Sequence, residues 1–268
     1  MSWLPDEEQR EPLRRTFETA ADLYDAARPE YPPELVDDLI SLARLEPGAR
    51  LLEIGCATGK ATRPLLERGF RVTCVELGAQ LADRARRNLA GHPVTIDVAQ
   101  FEEWDGEPAS FDLVFAATAW HWLDPAIRYE KAHRLLRADG HLAFWSAFHA
   151  FPDGVDPFFT EIQEVYDEIG ESHEGEWPPP PPERVPDDGD EIEASGLFDD
   201  VRVRRYVWAR LYSAEEYIAL LDTFSGHISM AQEARERLYS EIRRRIAMRP
   251  DPRVLRHWFA ILHVARRK

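Results

Sequence analysis

Between residues 50 and 148 the chain alternates short apolar runs with amphipathic stretches. Leu51-Leu52-Glu53-Ile54 is an apolar run that stops at Gly55, as a strand buried on both faces does. Residues 60–68 read as a helix closed by Gly69. Strands are expected at 71–75, 94–98, 111–116 and 141–148, and helices at 79–89 and 125–136. Strands separated by single helices predict parallel βαβ units, and therefore an open doubly wound α/β sheet.

The flanks carry other patterns. Leu13, Phe17, Ala20, Ala21 and Tyr24 recur at helical spacing, so residues 7–27 read as an amphipathic helix. Pro29, Pro32 and Pro33 end it, and a second helix is expected at 34–43. Residues 158–169 look helical. After them, acidic residues and the run Pro178-Pro179-Pro180-Pro181-Pro182 read as a mobile, solvated insertion, with a lid over a site as the alternative. Beyond it come a strand at 201–208, helices at 214–221 and 232–248, and a last strand at 254–264. The expected organisation is a helical N-terminal cover (1–46), an α/β core that holds a cofactor (47–150), an insertion (151–199) and a C-terminal segment that completes the sheet (200–268).

Composition narrows the function. The net charge of −16 disfavours nucleic acid and anionic membranes as partners. No run approaches the ~20 apolar residues of a membrane span, and the first residues lack a basic start with an apolar core, so a cytoplasmic protein is expected. Two cysteines, Cys56 and Cys74, are too few for a disulfide framework or a cysteine zinc site. The histidines show no metal-ligand spacing, so no metal is expected.

The strongest chemical signal is the strand, turn and helix start Leu51-Leu52-Glu53-Ile54-Gly55-Cys56-Ala57-Thr58-Gly59-Lys60. Glycines let a backbone approach a ligand closely, and a helix start favours negative charge. The next strand ends at Glu76, where a carboxylate can accept from both hydroxyls of a ribose. A phosphate-binding loop needs four residues between its glycines, then Lys and Ser or Thr; here three separate Gly55 from Gly59, and Ala61 follows Lys60. The G-x-G-x-x-G dinucleotide spacing is absent too. S-adenosylmethionine, with a ribose and an amino-acid end, is the third reading.

Several motifs in order make the chain similar to class I S-adenosylmethionine-dependent methyltransferases, in particular to their small-molecule branch of type 11/25. They are the stretch from Phe17 to Pro32, Glu53-Ile54-Gly55-Cys56-Ala57-Thr58-Gly59, Glu76, Phe111-Asp112-Leu113-Val114 leading to Ala119-Trp120-His121-Trp122-Leu123-Asp124, and Leu135-Leu136-Arg137-Ala138-Asp139-Gly140-His141-Leu142. The resemblance implies a Rossmann-like, seven-stranded, mostly parallel sheet with an antiparallel last strand under a helical N-terminal cover. It implies that Glu53, Gly55, Ala57 and Gly59 line the amino-acid end of S-adenosylmethionine and that Glu76 holds its ribose. Gln100 and Phe101 would frame the adenine, Ala116 and Ala117 would face the reaction centre, and Tyr24 and Arg28 would cover cofactor or substrate. The family's middle glycine is Ala57 here; a negative φ is expected, with the methyl group only narrowing the pocket.

His121 follows the fourth strand, where open α/β sheets bind ligands, so it is a candidate general base; the plain alternative is a packed histidine. Trp120 and Trp122 are candidates for stacking on a planar substrate or on the sulfonium, or else belong to the core. Arg235, Arg237, Arg243, Arg244 and Arg245 read as a solvated helix face, with a site for an anionic substrate or partner as the alternative. The expected activity is methyl transfer from S-adenosylmethionine, leaving S-adenosylhomocysteine, to a small-molecule acceptor. A non-catalytic S-adenosylmethionine-binding scaffold and a nicotinamide-dependent oxidoreductase are the alternatives.

Overall fold

The computed structural model describes residues 21–172 and 177–268. Of the helix expected at 7–27, the described part is α1 (Ala21–Ala27); residues 7–20 lie outside the described residues. Then follow α2 (Pro33–Leu42), β1 (Arg50–Ile54), α3 (Thr62–Glu67), β2 (Arg71–Glu76), α4 (Ala79–Asn88), β3 (Val94–Val98), β4 (Phe111–Ala117), α5 (Arg128–Leu135), β5 (Leu136–Trp145) and β6 (Ala147–Ala150). The rest comprises α6 (Phe158–Glu161), α7 (Gln163–Glu168), α8 (Gly189–Ala194), β7 (Phe198–Ser213), α9 (Ala214–Leu221), α10 (Ser225–Ser229), α11 (Gln232–Ala247) and β8 (Arg253–Arg267).

The strands form one eight-stranded sheet in the order β3-β2-β1-β4-β5-β8-β6, with β7 on the other edge of β8. The first five strands pair in parallel, and β8 runs antiparallel to β5, β6 and β7. β5 and β6 lie end to end along the same side of β8: Phe144 pairs with His263, and Ala147 with Ala260. The eight strands therefore fill seven positions. A single strand was expected at 141–148, and Thr118 is the reason for the break at Ser146. Its N–H donates to the Trp145 carbonyl (2.6 Å), and its hydroxyl accepts from the Ala147 N–H (3.3 Å).

Side chains alternate across a strand. Leu51, Leu113 and Phe115 face one layer, packed with Leu35 and Leu39 of α2, Leu65 of α3 and Ala85 of α4. Leu52, Ile54, Val114 and Ala116 face the opposite layer, with Tyr129 and Leu135 of α5 and Ile192 of α8. A third cluster joins α6, α7, α9 and α11 around Trp258.

The 151–199 segment departs from a solvated insertion. Phe151, Phe158, Phe159, Ile162, Val165, Pro182 and Ile192 are all buried. The helix expected at 158–169 is split in two at Ile162. β7 extends well beyond the expected 201–208, because β8 supplies a hydrogen-bonding partner out to Ser213.

Candidate functional site

Strand order reverses between β1 and β4, since β1 leads back to β2 and β3 while β4 leads on to β5. Open α/β sheets bind ligands at such a switch point, beyond the C-terminal ends of the strands. A cleft opens there, holding about 470 Å³ of empty space with its mouth included. Its walls are the turn after β1 (Gly55, Cys56, Ala57, Thr58), the end of β4 (Ala117, Thr118), Glu53, and a roof of Tyr24, Arg28, Pro29 and Tyr31 from the N-terminal cover. Lys60, Ala61, Ala147 and Trp258 complete it.

The turn is built for close approach. Gly55 has φ +71°, and a Cβ there would stand 2.7 Å from that of Ala119. Gly59 has φ +89°, and a Cβ would stand 2.8 Å from Leu89. Ala57 has φ +47°, which corrects the expectation of a negative angle. The left-handed region costs an alanine roughly 1–2 kcal/mol. Glu76 holds the turn in that shape: its carboxylate accepts from the Ala57 N–H (2.8 Å) and the Gly78 N–H (2.9 Å). Thr118, across the cleft, has φ +58°, a region a β-branched residue rarely enters. Two strained residues therefore face each other across one cleft, as functional sites tend to show.

Glu53 is buried on the cleft wall and accepts from the Thr62 hydroxyl (2.6 Å). Burial lifts its pKa to about 8, against the lowering effect of the Thr62 hydrogen bond; nearby Glu76 adds to the rise. Among the described residues no cation pairs with it, so the protein offers an acid ready for a basic ligand group.

The cover is tied down at several points. Lys60 bonds Glu30 (2.8 Å). Asp25 binds Arg84 (3.0 Å) and Asn88 (3.0 Å). The Tyr31 hydroxyl shares a hydrogen bond with Thr118 (2.9 Å), and its ring meets Trp145 edge-on.

The candidates separate clearly in space. Glu53, Gly55, Ala57, Ala117, Tyr24 and Arg28 share the cleft wall. Gly59 and Glu76 support the turn from behind. Ala116 is fully buried on the opposite face of the sheet, because alternation turns it away from Ala117. Phe101 is buried in that same layer, with the Lys131 ammonium 5.2 Å from its ring centre, and Gln100 precedes it. Trp120 is a core residue, stacked on Phe144 at 5.1 Å. Trp122 lies half-buried against the His121 ring. His121 is not on the cleft wall; its Nδ1 lies 3.5 Å from the Ser146 hydroxyl. Burial, with Arg128 nearby, pushes its pKa down to about 4, which weakens it as a base. Tyr31, Thr118 and Trp258 were not foreseen. Tyr31 lies within the Phe17 to Pro32 motif, whereas no local pattern marks Trp258.

Residues 52–144 match the model of a methyltransferase domain. An uncharacterized methyltransferase of Geobacillus kaustophilus is 30% identical over 158 residues, spanning 56% of this chain and 72% of that protein. One from Mycobacterium tuberculosis is 28% identical over 242 residues, spanning 90% and 89%. Among solved structures, a chain from Anaeromyxobacter dehalogenans provisionally classed as a type II methyltransferase aligns with a TM-score of 0.63 at 24% identity, covering 89% and 97%. The Haemonchus contortus phosphoethanolamine N-methyltransferase 2, solved with phosphomonomethylethanolamine and S-adenosylhomocysteine, aligns at 0.54 and 18% identity, covering 95% and 60%. Switch-point cleft, strained glycine turn and family match agree, and the chain belongs to the class I methyltransferases with a type 11-like domain.

Proposed function

We propose that the protein transfers the methyl group of S-adenosylmethionine to a small-molecule acceptor in the cytoplasm. The observation that carries this is the turn after β1, held by Glu76 through two backbone N–H groups beside the uncompensated Glu53. These residues fit the cofactor. Gly55, where a Cβ would collide with Ala119, lets the turn backbone stand on the cleft wall. The Glu76 carboxylate stands at the end of β2, where it would accept from a ribose hydroxyl. Glu53 would receive the amino group, whose charge draws the carboxyl back to its ionised form. Bound there, the sulfonium supplies an already activated methyl carbon. The chain's part is then alignment and exclusion of water. Tyr24, Arg28 and Tyr31 roof the cleft against solvent, and Ala117 and Thr118 shape its floor. A proton-accepting side chain on the wall is not required by this reading, in keeping with the position of His121. The acidic surface supports a small acceptor over nucleic acid or membrane.

The test is calorimetric titration with S-adenosylhomocysteine, with NADH as control. The expected result is binding of the first alone, weakened by roughly 1–3 kcal/mol in Glu76→Ala. Binding of NADH alone would replace the reading with the oxidoreductase one. Unchanged affinity in Glu76→Ala would remove that residue from the ribose.

A further inference from the structure

Two arginines meet beside the cleft with no carboxylate between them. Arg28 follows α1, and Arg256 stands on β8. They flank the same ring, with guanidinium carbons 4.0 and 5.7 Å from the centre of Phe224. Arg256 also lies over Trp258 (4.5 Å), which lines the cleft as Arg28 does. Arg128, the other buried arginine among the described residues, pairs with Glu191. Arg28 and Arg256 form no ion pair among the described residues. Arg28 donates Nε and Nη2 to the hydroxyl and carbonyl of Thr223, both at 2.8 Å. Arg256 is 5% exposed; its Nη1 lies 3.3 Å from His149 Nδ1, and its Nε has no hydrogen-bond partner. The groups around the pair carry no compensating charge: burial keeps the tyrosines Tyr212 and Tyr217 protonated and His149 and His227 neutral.

A buried and a half-buried positive charge without a counter-ion are costly in a folded protein unless an anion arrives. We propose that Arg28 and Arg256 hold a carboxylate of the methyl acceptor, so that the substrate is a small carboxylic acid bound between the Phe224 and Trp258 rings and the cleft. The inference rests on the methyltransferase reading of that cleft. Thr223 occupies part of the Arg28 guanidinium, and His149 and Tyr217 part of that of Arg256; the N–H groups left over can take a planar, two-oxygen anion. The aromatic walls suit the acceptor's apolar body.

The experiment uses protein saturated with S-adenosylhomocysteine, titrated calorimetrically with acetate, succinate and benzoate, with acetamide, succinamide and benzamide, and with inorganic phosphate. At least one carboxylate is expected to bind about tenfold or more tightly than its amide and than phosphate. Arg28→Met and Arg256→Met should each lose about tenfold or more of that affinity, with Arg256→Lys between, and in the Arg256 variants S-adenosylhomocysteine binding should stay within about threefold of the parent. Arg256→Met should also melt no lower than the parent, since it removes an uncompensated charge. Equal binding of acid and amide, preference for phosphate, no binding of any carboxylate, or carboxylate binding untouched by both substitutions would each overturn the proposal. So would a lower melting temperature of Arg256→Met with intact carboxylate binding, which marks a structural role. Failure to bind S-adenosylhomocysteine at all would instead bring down the cofactor reading, and this inference with it.

Discussion

At Ala57 and Glu53 the protein gives up stability for a shaped site. Ala57 sits at φ +47° because Glu76 grips its N–H. Glycine tolerates that angle without the Cβ clash, so Ala57→Gly should raise stability by about 1 kcal/mol, or a melting temperature gain of about 2–4 °C. A lower melting temperature would mean the methyl group makes packing contacts worth more than the strain. Glu53 carries a folded-state pKa of about 8 against 4.5 for the free side chain. The folded protein then holds a proton that the unfolded chain releases between those values. Stability is therefore full below about pH 4.5 and falls as pH rises to 8, by about 1 kcal/mol per pH unit from this group. The difference in stability between parent and Glu53→Gln, followed by urea melts across that range, should show this slope. A flat difference would mean that Glu53 is charged in the fold. Both residues were picked out from the motif alone, yet the sign of the Ala57 angle was not. A backbone angle is set by what grips the N–H, and Glu76 reaches it from another strand.

At the scale of elements, local signals hold where the chain satisfies its own backbone. The α9 helix begins at Ala214 as expected because Ser213 and Glu216 cap it reciprocally: Ser213 Oγ accepts from the Glu216 N–H (3.3 Å), and Glu216 Oε2 accepts from the Ser213 N–H (2.8 Å). Ser213→Ala should cost about 1 kcal/mol, read as a lower urea midpoint at unchanged slope. An unchanged midpoint would show that β7 alone fixes the helix start. Elements that depend on distant partners were less legible. The break between β5 and β6 comes from Thr118, and the length of β7 comes from β8. Ala116 and Ala117 were read as one site, but strand alternation divides them between two layers.

At the scale of the molecule, no helix among the described residues is long and apolar enough to cross a membrane. The segment read as solvated is fastened to the core by the Arg128–Glu191 ion pair and by Ile192. Arg128 is nearly enclosed, so Glu191→Gln leaves a buried charge with one partner fewer. It should cost about 1–3 kcal/mol and speed proteolysis near α8. Unchanged stability and cleavage would show that Ile192 alone docks the segment. The sequence by itself determined the order of strands and helices, the parallel core and the glycine turn. Each of these rests on periodicity and on neighbours a few residues apart. Only the tertiary structure decided which candidates meet. It turned Ala116, Trp120 and His121 away from the cleft and brought Trp258 to its wall. It also set Arg28 beside Arg256, more than two hundred residues along the chain. Such meetings depend on sheet pairing and helix packing, which leave no trace in local spacing.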